Sequence, residues 1–592
     1  MPRRGRHGRG ELPHVGRPVL PGTPGEPAVA AEDLPGGAVN TPTEQAQQQP
    51  WLVIAPPPTP NGDLHLGHLS GPYLAADIFA RHQRRKDTSA VYLCGLDDHQ
   101  TYTALQGIRD GRTPEQVADD FGARIEAALD RSGMSIDVMV RPRGSARYTA
   151  FVQDFIRLLH ERGQVVARER PLPYCAGCAR WCYEAYVSGG CPHCGAGTGG
   201  NACESCGWTN QCADLSDPTC TVCGLRCELR QVRQLVFPLE PHRDRLAAYW
   251  ADTVMSPHVA RLCRETAAAG LPELAVTYPG DWGIPATVEG FTDQRIYVWA
   301  EMAAGYLGTY PGHPDLWRRS GRVVQFSGYD NAFFYAAFFP ALMTAFDSDV
   351  RPPTAFVTNE FYQLDGLKFS TSRRHAIWLR EVLDEVPADL LRLYLAAEGP
   401  AVAETNFTWP QFELHLRGVL LPRWARWWEE LSRRAATSTG AARPLADRTV
   451  EQRRFRSRVQ QLADQIDQAL DAGEFSTRRA VALLDLLVRE AADFGAAHDV
   501  ARAGIDGLAG AVDLELEAAA VFALCLSPIA PTTAQQVWAA LGLAGQVHEV
   551  PWADRDALPV DRSTVVGLDQ VGKALQAGDI QMSEVVTRES ID

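Results

Sequence analysis

Eleven of the chain's 14 cysteines fall between Cys175 and Cys227, and eight of these form four Cys-x-x-Cys pairs: Cys175 and Cys178, Cys191 and Cys194, Cys203 and Cys206, Cys220 and Cys223. Each such turn presents two thiolates to one ion, and a tetrahedral zinc takes two turns. Glycine follows three of the second cysteines, at Gly195, Gly207 and Gly224, and supplies the positive φ that a tight knuckle needs. In a chain without a secretory signal the pattern reads as metal binding rather than disulfides, which implies a reducing compartment, the cytoplasm. A fully sulfur-ligated zinc keeps no open position, so its expected role is structural. Cys182, Cys212 and Cys227 fall outside the pairs and read as core or spare thiols.

Around this segment the chain is ordinary. Its 592 residues imply about three or four domains. Apolar residues make up 45% and charged residues 22%, and no apolar run approaches the roughly 18 residues a membrane span needs. Met1 to about Gln48 starts basic but never reaches an apolar signal region, and reads as a disordered tail. A formal charge of -15 argues against a surface that coats DNA, while leaving room for a local basic face.

"WLVIA" (Trp51 to Ala55) is a short apolar run bounded by "PPPTPNG"; helical periodicity follows from Leu66, and "AVYLCG" (Ala90 to Gly95) reads as a second strand. A βαβ unit of a parallel sheet is expected, with Asp97, Asp98 and His99 at the carboxyl edge where such sheets bind ligands. Strand-like runs resume with "RIYVWAE" near Arg295, "RVVQFSG" near Arg322 and "TAFVTNE" near Thr354. The cysteine-rich part is thus an insertion within one nucleotide-binding fold. From about Glu381 amphipathic helices such as "RVQQLADQIDQAL" predict a helical bundle.

"NGDLHLGH" places His65 and His68 one helical turn apart at a helix N-terminus, where backbone N–H groups and the helix dipole favour an anion. Gly62 and Gly67 allow close backbone approach, and Asn61 can cap the turn. Taken alone, two histidines so spaced also suit a surface pair or half a metal site. About three hundred residues later "LDGLKFSTSRR" sets Lys368 in a Gly- and Ser-rich loop.

"HLGH" together with "KFSTS" resembles the signatures of class I aminoacyl-tRNA synthetases. "PPPTPNGDLHLGHLSGPYLAADIFARHQR", "CGLDDH", "DWGIP", "YVWAEMAAGYLG" and "FSGYDNAFFYAAFFPALM" follow in the order of the methionyl-tRNA synthetase family, from about Trp51 to about Ala540. The implied fold is α/β: a Rossmann-like parallel-sheet domain with a zinc-knuckle insertion, then an α-helical bundle. The implied reaction is attack of an amino-acid carboxylate on the α-phosphate of ATP, carried with Mg2+. The resemblance makes His65, His68 and Lys368 the groups acting on the phosphates. It places Asn61, Gly67, Gly328, Asp330, Ser370 and Thr371 around ATP, with Asp330 on the ribose. Asp97 would pair with the substrate ammonium, beside Trp299, Met302, Tyr306, Asn331 and Tyr335. The inner two cysteine pairs would share one zinc and the outer two the other, remote from the chemistry at the phosphates.

The chain also departs from that family. Glu301, Met302, Ala303 and Ala304 stand where it usually reads Asp-Ala-Pro-Ile, Asn331 where it has isoleucine, and Tyr335 where a histidine contacts methionine. A bulkier residue, an amide and a phenol imply a pocket for an amino acid smaller or more polar than methionine. Thr371 replaces the second signature lysine, with Arg373 and Arg374 following, and "VREAADFGAAHDVAR" lacks the family's anticodon-reading Asn-Arg-Tyr.

Three functions follow: charging tRNA with methionine or a related amino acid; passing an aminoacyl adenylate to a small nucleophile, similar to hydrazine-forming enzymes that work with a separate cupin partner; or an inactive nucleotide- or tRNA-binding paralogue. The expected divisions are a tail over 1–48, catalytic halves over 49–142 and 291–380, an insertion over 143–290 with knuckles at about 174–228, stem-contact helices over 381–435 and an anticodon-binding-like bundle over 436–592.

Overall fold

The computed structural model describes residues 50–577 apart from 87–88, 201, 309, 311, 314, 370–374, 439–447 and 559; the side chains of 500–509 and 574–577 also lie outside the description. The tail expected over 1–48 is therefore outside it, as are Ser370, Thr371, Arg373 and Arg374.

Five parallel strands form the central sheet: β1 (Trp51–Ile54), β2 (Ala90–Gly95), β3 (Val138–Val140), β4 (Arg322–Gly328) and β5 (Ala355–Asn359), in the order β5-β4-β1-β2-β3. Trp51 faces Ala90 on one side and Arg322 on the other. β1 is buried along its whole length, as a strand covered on both faces must be. The chain leaves β1 first toward β2 and β3, and later returns beside β1 as β4. Strand order thus reverses there, and the crevice at the carboxyl ends is where ligands bind in such sheets.

The run "RIYVWAE", expected as a strand, divides. Gln294–Ile296 pairs antiparallel with Thr277–Pro279 outside the main sheet, and Val298–Tyr306 is a helix. Every residue from Ala300 to Tyr306 is buried, Glu301 included, so burial on all faces leaves no helical period to read.

Between β3 and β4 the chain makes a long antiparallel ribbon, Val166–Cys175 against Glu228–Pro238, and the paired cysteines lie at its tip. Beyond β5, Tyr362–Leu364 pairs with Leu367–Lys368 and, in parallel, with Thr405–Phe407. Lys368 thus ends a short strand rather than sitting in a loop. Asp365 (φ 49°) and Gly366 (φ 79°) make its two-residue turn, the left-handed pair that an Asp-Gly hairpin uses.

Helices from Leu421–Thr437 to Pro531–Ala540 form the bundle, packed around Trp424, Trp427 and Trp428. Arg392, fully buried, joins sheet and bundle. Its guanidinium donates to Asp77 at 2.6 Å and to the carbonyls of Ile529 at 2.8 Å and Pro528 at 3.0 Å. Asp77 also accepts from Arg81 at 2.8 Å and from the Ser135 backbone at 2.6 Å.

Candidate active site

His65 is the N-cap of the helix that starts at Leu66. Asn61, expected to cap this turn, lies four residues ahead of it and lines the neighbouring cavity instead. Backbone bonds between Leu66 and Ile377 and between Leu379 and Leu64, each 2.9 Å, tie this turn to the segment after Lys368. The His65 ring therefore stacks on Phe369, centroids 5.0 Å apart. Gly67 permits that approach, because a Cβ there would stand 3.1 Å from both rings.

The two imidazoles face the same way, with centroids 3.8 Å apart, and the His65 N–H donates to His68 Nδ1 at 3.1 Å. That bond leaves the neutral His68 ring its proton on Nε2. Burial lowers His68 to about 4. Burial, then the charge of His68, holds His65 well below the ordinary imidazole value. Both rings are therefore neutral hydrogen-bond donors at neutral pH. His65 Nδ1 is buried with no hydrogen-bond partner among the described residues.

A cavity of about 800 Å3 is walled by Asn61, His65, Phe369 and Lys368. A second, of about 210 Å3, is walled by Asp97, Trp299, Met302, Asp330, Asn331 and Tyr335. Tyr102, Glu184, Gly199 and Glu204 wall both, which makes the two spaces neighbours. Tyr306 faces neither, lining a void of about 30 Å3 behind Met302. Trp299 is fixed by stacking on Phe334 at 4.1 Å. Gly328 ends β4 where a Cβ would collide with Asp330 Oδ1 at 2.5 Å, and Asn331 donates to that oxygen at 3.2 Å.

The second cavity is acidic. Burial, then Glu301 and Glu184, pushes Asp97 well above the usual carboxylate range. Burial raises Glu184 to about 7, although Thr101 at 2.8 Å and Tyr297 at 3.2 Å donate to it. Burial and the charge of Glu204 raise Asp330 to about 6, against the pull of Lys368. Buried carboxyls whose hold on a proton is raised in this way are matched to an incoming cation.

Glu184 and Glu204 were not apparent as site residues in the sequence, and both come from the cysteine-rich insertion. Glu204 lies between two paired cysteines and forms an ion pair with Lys368. The insertion, expected to stand apart from the chemistry, therefore supplies part of the wall. No spacing pattern marks either residue.

The cysteines group as Cys175, Cys178, Cys220, Cys223 and as Cys191, Cys194, Cys203, Cys206, all sulfurs of a group within 4.8 Å of one another. Sulfurs at 2.3 Å around one zinc stand about 3.8 Å apart. Here Cys175 and Cys223 are 3.4 Å apart, Cys194 and Cys203 3.6 Å, Cys191 and Cys206 3.9 Å. Each group can hold a tetrahedral zinc with all four positions taken. Gly195, Gly207 and Gly224 have φ of 76°, 70° and 75°, and Ala179 takes the corresponding place in the fourth knuckle at φ 48°. Cys182, Cys212 and Cys227 are buried outside both groups.

A parallel sheet whose order reverses at β1, with a neutral histidine pair and neighbouring cavities at its carboxyl ends, is the frame of a nucleotide-binding α/β domain. The family model for tRNA synthetases class I (M) matches residues 51–425, more than half of the chain. The chain therefore belongs to the methionyl group of the class I tRNA synthetases. The methionine–tRNA ligase of Thermomicrobium roseum is 34% identical over 380 residues, covering 62% of this chain and 65% of the relative. That of Pyrococcus furiosus is 32% identical over 395 residues, covering 63% and 54%. The chain thus spans less than two thirds of the length of either. The crystal structure of Mycobacterium tuberculosis methionyl-tRNA synthetase bound by methionyl-adenylate shares the fold, with TM-score 0.71 at 16% identity, over 86% of this chain and 97% of that one.

Proposed function

We propose that the chain activates an amino acid with MgATP, forming an aminoacyl adenylate and pyrophosphate, and then transfers the aminoacyl group to a nucleophile. What carries this reading is the adjacency of the two cavities, one bearing His65 and Lys368, the other Asp97, Trp299 and Asp330. The substrate ammonium is the cation that Asp97 would hold, since a cation beside a buried carboxyl favours its charged form. A substrate carboxylate oxygen attacks the α-phosphorus in line. The new O–P bond forms as the bond to the bridging oxygen breaks, and the electron pair departs on pyrophosphate. His65 and His68 donate N–H groups to phosphate oxygens as charge builds, Lys368 leaves Glu204 for the pyrophosphate, and Asp330 accepts from the ribose hydroxyls. Asn61, Gly67 and Gly328 shape the nucleotide side. Mg2+ would come with ATP, and zinc would hold the knuckle that presents Glu204 and brace the segment between knuckles that carries Glu184.

In the first reading the acceptor is tRNA, as the names of the relatives state for them. A small nucleophile is the second reading, favoured by the segment expected to read an anticodon. There Phe494 stacks face to face on Phe455 at 3.9 Å and Glu490 is held by Arg458 at 2.9 Å, so these groups are committed internally rather than open to unpaired bases. No described helix is long and apolar enough to cross a membrane, and the proposed compartment is the cytoplasm. Pyrophosphate exchange across all amino acids, followed by transfer assays with and without total tRNA, tests both steps. Exchange with no amino acid would overturn the proposal; exchange without charging of tRNA selects the small nucleophile.

A further inference from the structure

One wall of the amino-acid cavity is a long, unbranched side chain of the protein, Met302. Met302 projects from the helix Val298–Tyr306, 7% exposed, and its sulfur accepts a hydrogen bond from the Tyr335 hydroxyl at 3.5 Å. It walls the 210 Å3 cavity on one side and the 30 Å3 void on the other, and Asp97 borders both. The void beyond it, enclosed by Tyr148, Tyr306 and Tyr310, has room for about one water and no side chain.

We propose that Met302 is a resident occupant of space a long substrate side chain would need, so that the enzyme prefers a small amino acid such as glycine, alanine or serine and discriminates against methionine. This rests on the amino-acid-activating reading above and gives it a substrate class. The occupant is an unbranched thioether, the same group that methionine itself would bring. It is held at both ends, by its helix and by the Tyr335 hydroxyl. The helix cannot draw back to make room: Gly305, one turn on, has Tyr148 Oη 2.5 Å from where its Cβ would be. The adjoining wall is equally fixed, with Trp299, one turn before Met302 on the same helix, stacked on Phe334 and packed edge-on to Tyr335 at 5.7 Å. The space left beside Asp97 is bounded by Asn331, whose amide suits a hydroxyl or hydrogen better than an alkyl chain.

The test uses the full chain as wild type, Met302→Ala and Met302→Leu, with glycine, alanine, serine and methionine as probes in calorimetric titration and in pyrophosphate exchange. One methylene is worth roughly 10–200-fold in a fitted pocket. Wild type should therefore prefer the best small amino acid over methionine by at least about 100-fold in kcat/KM. Met302→Ala should shift that ratio toward methionine by about 100-fold or more and gain methionine binding, while Met302→Leu keeps the bulk and still excludes it. Should Met302→Ala not fold, Met302→Val gives a smaller shift in the same direction. Methionine binding wild type as well as alanine does, or a ratio unmoved in the folded variants, overturns the proposal. Calorimetric gain of methionine by Met302→Ala with no exchange for any amino acid refutes the activation reading and leaves the resident side chain standing.

Discussion

Removing the His68 ring separates two kinds of phosphate chemistry. If His68 acted as an imidazolium, its charge would appear only as pH falls through the ordinary value near 6.5. Its place beside His65 says otherwise: burial lowers it to about 4, and the His65 N–H at 3.1 Å occupies Nδ1. The working species is then the neutral ring donating through Nε2. A donor aimed at charge developing in a transition state contributes about 10²–10³ in rate, or roughly 3–4 kcal/mol. His68→Ala should lose that factor in kcat/KM for MgATP, chiefly through kcat. His68→Asn can still accept from the His65 N–H but offers nothing at the Nε2 position, so it should lose rate without loosening the helix start. The wild-type profile of kcat/KM, which reports the free enzyme, should show no step from His68 between pH 8 and 5. The same displacement bears on stability. A folded value below the unfolded one means the unfolded chain binds the extra proton first, so this contribution is complete above about 6.5 and lost as pH falls through about 4, on the order of 3 kcal/mol in all. A rate that climbs as pH drops through 6.5, or a His68→Ala variant with unchanged kcat, would refute the neutral-donor reasoning.

Asp77→Ala strands the buried Arg392 guanidinium and should cost about 3–5 kcal/mol in denaturant titration; a loss under about 1 kcal/mol would show that apolar packing alone joins sheet to bundle. Metal analysis should return about two zinc ions per chain, and their removal should weaken amino-acid binding as well as unfold the insertion, since Gly199, Glu184 and Glu204 wall the site. Binding that survives chelation unchanged would show the knuckles to be remote. Asn331→Ile with Tyr335→His, which makes the pocket more like that of the family, should leave methionine a poor substrate in exchange assays while Met302 remains; recovery of methionine in that double variant would show polarity, not bulk, to be decisive.

β1, β2, β4 and β5 were legible because each is a short apolar run ended by proline, glycine or a polar residue, which is how a strand buried on both faces announces itself. The histidine pair was legible through its spacing, and its meaning through a second motif that backbone bonds at Leu66 and Leu379 now bring alongside. Val298–Tyr306 was not legible as a helix because burial on every side erases the period. The turn at Asp365 and Gly366 carries its signal in two letters, masked by the glycine- and serine-rich run beside it. Glu204 against Lys368 left no trace, since 164 positions separate them and only the folded-back ribbon makes them neighbours.

The pocket lies between these cases. Sequence placed Met302, Asn331 and Tyr335 where an apolar thioether pocket would be, and treated them as three separate changes of size and polarity. In the structure two of them are joined, because the phenol of Tyr335 donates to the Met302 sulfur. Compared position by position, they read as lost affinity for methionine. Bonded to each other, they would, on the proposed reading, put the protein's own side chain where the ligand's would lie and leave Asp97 to hold the ammonium of a small amino acid.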